Sequence, residues 1–134
     1  MYLFDTDVLS NVLKKKRSAA LMARLKRVPR AAQFTSAVNA AEIYFGVFRK
    51  EGRQELLRSC EAEIFPRLTI LPFDFECARV FGRIKAYLET RGLTTFEPDL
   101  QIASIALAHK LTLVTGNVRH YQGIPGLRVE NWIA

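Results

Sequence analysis

Four short apolar runs constrain this chain more than any other feature: YLFD at 2–5, QFTS at 33–36, LTILPF at 68–73 and LTLVT at 111–115. They are strand-length and do not show the apolar–polar alternation of a sheet with one wet face. Between them lie segments of helical spacing. TDVLSNVLKK (6–15) follows the first run, and SAALMARLKRV (18–28) is stopped by Pro29. AVNAAEIYFGVFRKEG (37–52) ends at Gly52, and RQELLRSCEAEIF (53–65) is closed by Pro66. DFECARVFGRIKAYLETRG (74–92) has Asp74 as a cap and Gly92 as a stop, and PDLQIASIALAHKL (98–111) is apolar on nearly every face. A loop, GNVRHYQGIPG (116–126), precedes a last short strand in LRVENW (127–132). Apolar strands alternating with helices predict an α/β fold: a mainly parallel sheet of four to five strands flanked by helices on both faces. In such sheets ligands bind beyond the carboxyl ends of the strands, where Asp5, Ser36 and Thr115 to Asn117 fall.

A chain of 134 residues fits one domain spanning 1–134. No apolar run is long enough for a membrane span. The amino terminus has no basic region followed by an apolar stretch, so a cytoplasmic location is expected. Cys60 and Cys77 have no close metal-ligand spacing and read as two reduced thiols. The net charge of +7 points to a polyanionic partner. Lys14, Lys15, Lys16, Arg17, Arg24, Lys26, Arg27 and Arg30 crowd one segment with no acid between them. Either this is a solvated face or it meets RNA, most directly through Lys14, Lys15, Lys16 and Arg17.

Three carboxylates lack local partners. Glu42 has Val38, Asn39, Phe45 and Gly46 as helical neighbours, none a cation, and shares a stripe with Val38 and Phe45 that is expected to face inward. Asp99 shares a face with Ile102, Ala103, Ala106 and Leu107. Asp5 ends the first strand, and it or Asp7 is expected to cap the helix that follows. Each acid has an ordinary explanation: a border position for Glu42, a favourable helix amino terminus after Pro98 for Asp99, capping for Asp5 and Asp7. Convergence of the three would require a cation among them. Oxygen donors without His or Cys suit Mg²⁺ or Mn²⁺, and a basic surface suits a phosphodiester substrate.

The order LFDTDVL, then TSAVNAAEIYFGV, then PDLQIASIALAHKLTLVTGNVRHYQGIPGLRVENW resembles the PIN-domain ribonucleases, specifically the VapC-type toxins of toxin–antitoxin pairs. The resemblance spans nearly the whole chain. It implies a PIN fold and a Mg²⁺- or Mn²⁺-dependent endoribonuclease acting on structured RNA, commonly tRNA. By position it makes Asp5, Glu42 and Asp99 the metal ligands and catalytic acids. Thr6 and Ser36 become orienting residues, and Asp7 is an accessory where these toxins commonly have Asn. The fourth site, often an acid, falls in TGNVRHY, where Asn117 is the catalytic candidate and Thr115 and His120 are accessory. A complete second metal site is therefore not implied. The resemblance also implies a VapB-type antitoxin partner and a homodimer. The aromatic segments EIYFGVFRK and EAEIF would suit a groove for an amphipathic antitoxin helix, or ordinary core.

Two other functions fit parts of the pattern. FDTDVL loosely echoes the nucleophile motif of haloacid-dehalogenase-type phosphatases, with Asp5 attacking phosphorus and Asp7 as acid/base. Leu9 at the usual Thr or Val place and the lack of a late acidic pair count against it. A catalytically weakened PIN scaffold that only binds RNA or protein would bind RNA equally with and without Mn²⁺.

Overall fold

A computed structural model describes Met1 to Ala134. Its centre is a five-stranded sheet in the order β3-β2-β1-β4-β5 with every pairing parallel. The strands are β1 (Tyr2–Phe4), β2 (Gln33–Ser36), β3 (Thr69–Leu71), β4 (Thr112–Val114) and β5 (Val129–Glu130). The helices are α1 (Thr6–Leu13), α2 (Ala19–Arg27), α3 (Ala37–Phe48), α4 (Gln54–Ser59), α5 (Phe75–Thr90) and α6 (Glu97–Ala108).

Successive strand residues point to opposite faces, and the core divides accordingly. Leu3 and Leu113 belong to one apolar cluster, built with α5 and α6, while their neighbours Phe4 and Val114 belong to a second, built with α1, α2 and Trp132. Both faces are therefore dry, which is why the strands show no polar alternation. Helix α6 buries Leu100, Ile102, Ala103, Ile105 and Ala106. Each large aliphatic among them contributes roughly 1.5–3 kcal/mol by leaving water.

Several local expectations change. The helix expected over 53–65 is α only for its first turns; it widens into a π turn at Cys60–Ile64 and tightens into a 3-10 turn at Phe65–Arg67. Pro66 lacks an N–H and its ring conflicts with the carbonyl four residues earlier, so regular winding fails ahead of it. The 116–126 loop contains a 3-10 turn at Val118–Tyr121. The inward stripe of α3 is Asn39, Ile43 and Val47, whereas Phe45 is 66% exposed. Cys60 and Cys77 are free and buried, as expected. No helix is long and apolar enough to cross a membrane.

The chain runs from β1 outward through β2 to β3, then returns past β1 to β4 and β5. The order reverses between β1 and β4, and the crevice at such a switch point is where parallel sheets place ligands. Asp5 lies there: its N–H donates to the Val114 carbonyl at 2.9 Å, directly beside Thr115.

Candidate active site

Asp5 is the centre of the arrangement. It is 6% exposed and follows β1 as the amino-terminal cap of α1. Its Oδ1 accepts from the Thr6 N–H and from Asn39 Nδ2, both at 2.9 Å. Its Oδ2 accepts from the Thr115 hydroxyl at 2.8 Å and the Tyr121 phenol at 3.0 Å. These donors fill roughly the four acceptor positions a carboxylate offers. Capping thus falls to Asp5, not Asp7. Asp7, the acid/base of the phosphatase reading, is engaged by the Gly116 N–H and Asn117 Nδ2.

The other acids are placed by the same network. Asn39 donates its second amide hydrogen to Thr6 Oγ1 at 3.0 Å, and Thr6 donates onward to Glu42 Oε1 at 2.8 Å. Ser36, the last residue of β2, caps α3 by accepting from the Asn39 N–H and donates to Asn39 Oδ1 at 2.6 Å. Asp99, in the first turn of α6, lies 3.5 Å from the Tyr121 oxygen and 3.1 Å from His120 Nδ1. Asp7 accepts from the Gly116 N–H at 2.8 Å and from Asn117 Nδ2 at 3.3 Å. The approach at 116 is close: a Cβ there would stand 2.6 Å from Asp7 Oδ2, so that carboxylate would have to shift.

The electrostatics are unbalanced. No Lys or Arg pairs with Asp5, Asp7, Glu42 or Asp99; His120 is the one basic side chain in contact. Burial raises the carboxyl groups of Asp7, Glu42 and Asp99 above their ordinary values. Repulsion from Asp5 adds to all three, and Asp99 adds to Glu42. Hydrogen bonds from Thr6 to Glu42 and the His120 contact to Asp99 work in the opposite direction. The Tyr121 phenol is driven well above its ordinary value by burial and by Asp5 and Asp99, so it remains a donor at physiological pH.

An oxygen-only donor set short of positive charge fits a hard divalent cation. Because every acceptor position of Asp5 is already engaged, direct ligation by Asp5 requires one hydroxyl to turn away. Tyr121 has an alternative acceptor in Asp99, and Thr115 has one in Asp7 Oδ1 at 3.4 Å. Asp74, Cys77 and His109 also bring ligand atoms within 4.8 Å of one another. Their N, O and S donors suit a softer ion, and capping explains the pair on α5, since Asp74 accepts from the Cys77 N–H at 3.0 Å.

The structure therefore brings together Asp5, Glu42, Asp99, Thr6, Ser36, Thr115 and His120. Two residues of the 116–126 loop have partners that local spacing does not reveal. Asn117 is engaged with Asp7 and does not contact Asp5, Glu42 or Asp99, so the fourth carboxylate in space is Asp7, with Asn117 supporting it. His120 pairs with Asp99 while its side chain stays 56% exposed, open to a phosphate contact as well. Lys14, Lys15, Lys16 and Arg17 are exposed past the far end of α1, about 12 Å along that helix from Asp5. Arg24 is committed elsewhere, paired with Glu130 at 3.2 Å and stacked over Trp132.

Two site residues escaped the sequence analysis. Asn39 is fully buried on α3, and a polar residue one turn before Glu42 on an apolar stripe was a usable signal. Tyr121 carried none, because its partner is 116 residues away.

The sequence and the fold match those of known proteins. The PIN domain family matches residues 2–123. A Haemophilus influenzae protein named Ribonuclease VapC2 is 32% identical over 132 residues, covering 98% of both chains. The tRNA(fMet)-specific endonuclease VapC of Salmonella typhimurium is 32% identical over 97 residues, 72% of this chain and 73% of that protein. Among solved structures, VapBC2 from Rickettsia felis bound to a promoter DNA fragment superposes with a TM-score of 0.87 at 30% identity, over 98% of each chain. With the acids of β1, α3 and α6 gathered at the switch point of a parallel sheet, the chain belongs to the PIN-domain family and, within it, to the VapC-type ribonuclease toxins.

Proposed function

We propose that this toxin hydrolyses phosphodiester bonds in structured RNA with Mg²⁺ or Mn²⁺, and that Asp5, Glu42 and Asp99 are its catalytic carboxylates. The observation that carries this is a set of buried or half-buried, mutually repelling oxygen donors with no Lys or Arg to balance them. Asp5, Glu42 and Asp99 would hold the ion, which when bound polarises the phosphate and lowers the pKa of water.

The chain's own residues supply the positioning. Asn39 fixes Asp5 Oδ1 and, through the Thr6 hydroxyl, the Glu42 carboxylate, while Ser36 locks the Asn39 amide. His120 aims Asp99 through Oδ2. Thr115 and Tyr121 hold Asp5 Oδ2. Asp7 holds the 116–117 backbone at the rim, with Asn117 beside it. Hydrolysis then consists of water adding to phosphorus as the bond to the leaving oxygen breaks, with a carboxylate accepting the water's proton.

The relative named for tRNA(fMet) supports tRNA as the substrate class. The VapBC structure supports a VapB-type antitoxin as partner. Phe45 and Phe48, each 66% exposed on α3, offer apolar surface for that partner or for a second copy in a homodimer. Lys14, Lys15, Lys16 and Arg17 would hold RNA by charge. The protein acts as a single domain in the cytoplasm on this account.

The test is cleavage of a total tRNA pool by purified, antitoxin-free protein with Mn²⁺, Mg²⁺ or EDTA, beside Asp99→Asn. Discrete fragments are expected with metal alone, and Asp99→Asn should lose more than about a hundred-fold in rate, beyond what a residue supporting a ligand costs. Undiminished cutting by Asp99→Asn, or by the parent in EDTA, would refute the assignment.

A further inference from the structure

Beside Asp99 the acid end opens into a cleft of about 390 Å³, within the range of small-ligand sites. It is bounded by the α5–α6 connection and by the 3-10 turn Val118–Tyr121. Thr94, Phe96, Arg119 and Gln122 line it, and Asp99 and His120 join it to the acid cluster. A molecule in this cleft therefore lies against Asp99, one of the carboxylates assigned above to catalysis.

The wall differs from the acid cluster in one respect: its functional groups are unspent. The Phe96 ring is 66% exposed, and no other ring stacks on it and no cation stands over it. Arg119 enters no ion pair. The side chains of Arg119, Thr94 and Gln122 make no hydrogen bond within the protein, whereas each acid beside them has at least one partner. The cleft thus presents a free aromatic face, a planar cation, and a hydroxyl and an amide that both donate and accept.

That combination selects an occupant. A lone phosphate would have no use for Phe96, and an apolar molecule would have none for Arg119. A nucleotide uses all of it: its base has a π-face for Phe96 and a polar edge for Thr94 or Gln122, and its phosphate meets Arg119. A paired base has its faces covered by neighbours, so only an unpaired one can stack on a protein ring. Resting on the nuclease assignment, we infer that this cleft is a subsite for one unpaired nucleotide beside the phosphate being cut, with its base on Phe96 and its backbone held by Arg119.

The experiment uses the full chain, free of antitoxin, with Glu42→Gln to prevent cutting; Glu42 does not line the cleft. Binding in Mn²⁺ is measured for an RNA hairpin with a single-stranded loop and for a fully paired blunt duplex of the same composition. Phe96→Ala should weaken hairpin binding about ten-fold and leave the duplex unchanged, and Phe96→Trp should restore the hairpin. The ring is exposed, so both variants should melt with the parent. Hairpin binding unchanged in Phe96→Ala, or equal losses on hairpin and duplex, would overturn the subsite. With Glu42 restored, tRNA cutting that survives Phe96→Ala at the parent's kcat/KM overturns the subsite alone. A parent that neither cuts the tRNA pool nor prefers the hairpin overturns both the subsite and the nuclease assignment.

Discussion

The acid end of the sheet and the basic segment after α1 carry opposite charge and are built in opposite ways. Asp5, Asp7, Glu42 and Asp99 come from three elements, are wholly or partly buried, and are aimed by hydrogen bonds that converge from across the chain. Lys14, Lys15, Lys16 and Arg17 are consecutive, exposed and held by nothing. The difference follows from what each can do. Chemistry at one phosphorus needs groups fixed to within a fraction of an ångström. Attraction of a polyanion depends chiefly on how many charges it meets. A contiguous run can supply the second; only a folded sheet edge can supply the first.

Three substitutions test that contrast. The largest effect is expected from Asn39→Ala. It removes donors from Asp5 and Thr6 and an acceptor from Ser36 in a buried site, so a loss of about 3 kcal/mol is expected in denaturant unfolding. Cleavage should fall with it even under conditions where the variant is fully folded. A variant that stays within 1 kcal/mol of the parent would show that the acids do not depend on this network.

Next comes replacement of Lys14, Lys15, Lys16 and Arg17 together by Gln. Affinity for single-stranded RNA should drop about ten-fold at low salt, and the salt slope should shrink by up to about 3. Melting temperature and the rate at saturating RNA should not move. A fall in the saturated rate would mean the segment reaches the reacting phosphate after all.

The smallest effect is electrostatic. Folded Asp7, Glu42 and Asp99 have raised pKa values, so above the ordinary carboxylate range the folded chain binds more protons than the unfolded one. Stability therefore falls as pH rises through those raised values. Removing one charge with Asp99→Asn should stabilise the metal-free protein by ~1 kcal/mol at pH 7.5, a few degrees in Tm, and by less at pH 5. Added Mn²⁺ should stabilise the parent more than this variant. Equal melting of the two at both pH values would indicate that the acids are too well solvated to strain the fold.

The layered architecture could be read from short apolar runs set between helical segments, because burial on both sheet faces removes polar alternation. The lateral strand order could not, since local pattern says nothing about which strand lies beside β1. Asp5, Glu42 and Asp99 stood out because acids without local cations on apolar segments are costly, and that cost is visible in one dimension. The roles of Tyr121, of His120 against Asp99, and of Asp7 against Gly116 are contacts across more than 20 residues of chain, with no trace in local spacing. Phe45 misled for a related reason. Helical periodicity marks an apolar stripe, but it cannot tell a face turned to the core from one left open.

One carboxylate, that of Asp5, fastens together α1, α3, the residue after β4 and the final 3-10 turn, through partners at positions 6, 39, 115 and 121. Its Oδ1 donors come from early chain, at Thr6 and Asn39, whereas both Oδ2 donors lie 110 and 116 residues further on, just after β4 and in the last 3-10 turn. Loosening β4 or that turn from β1 would therefore free Oδ2 while Oδ1 stays held, so the central strand pairing and the aim of this acid stand or fall together.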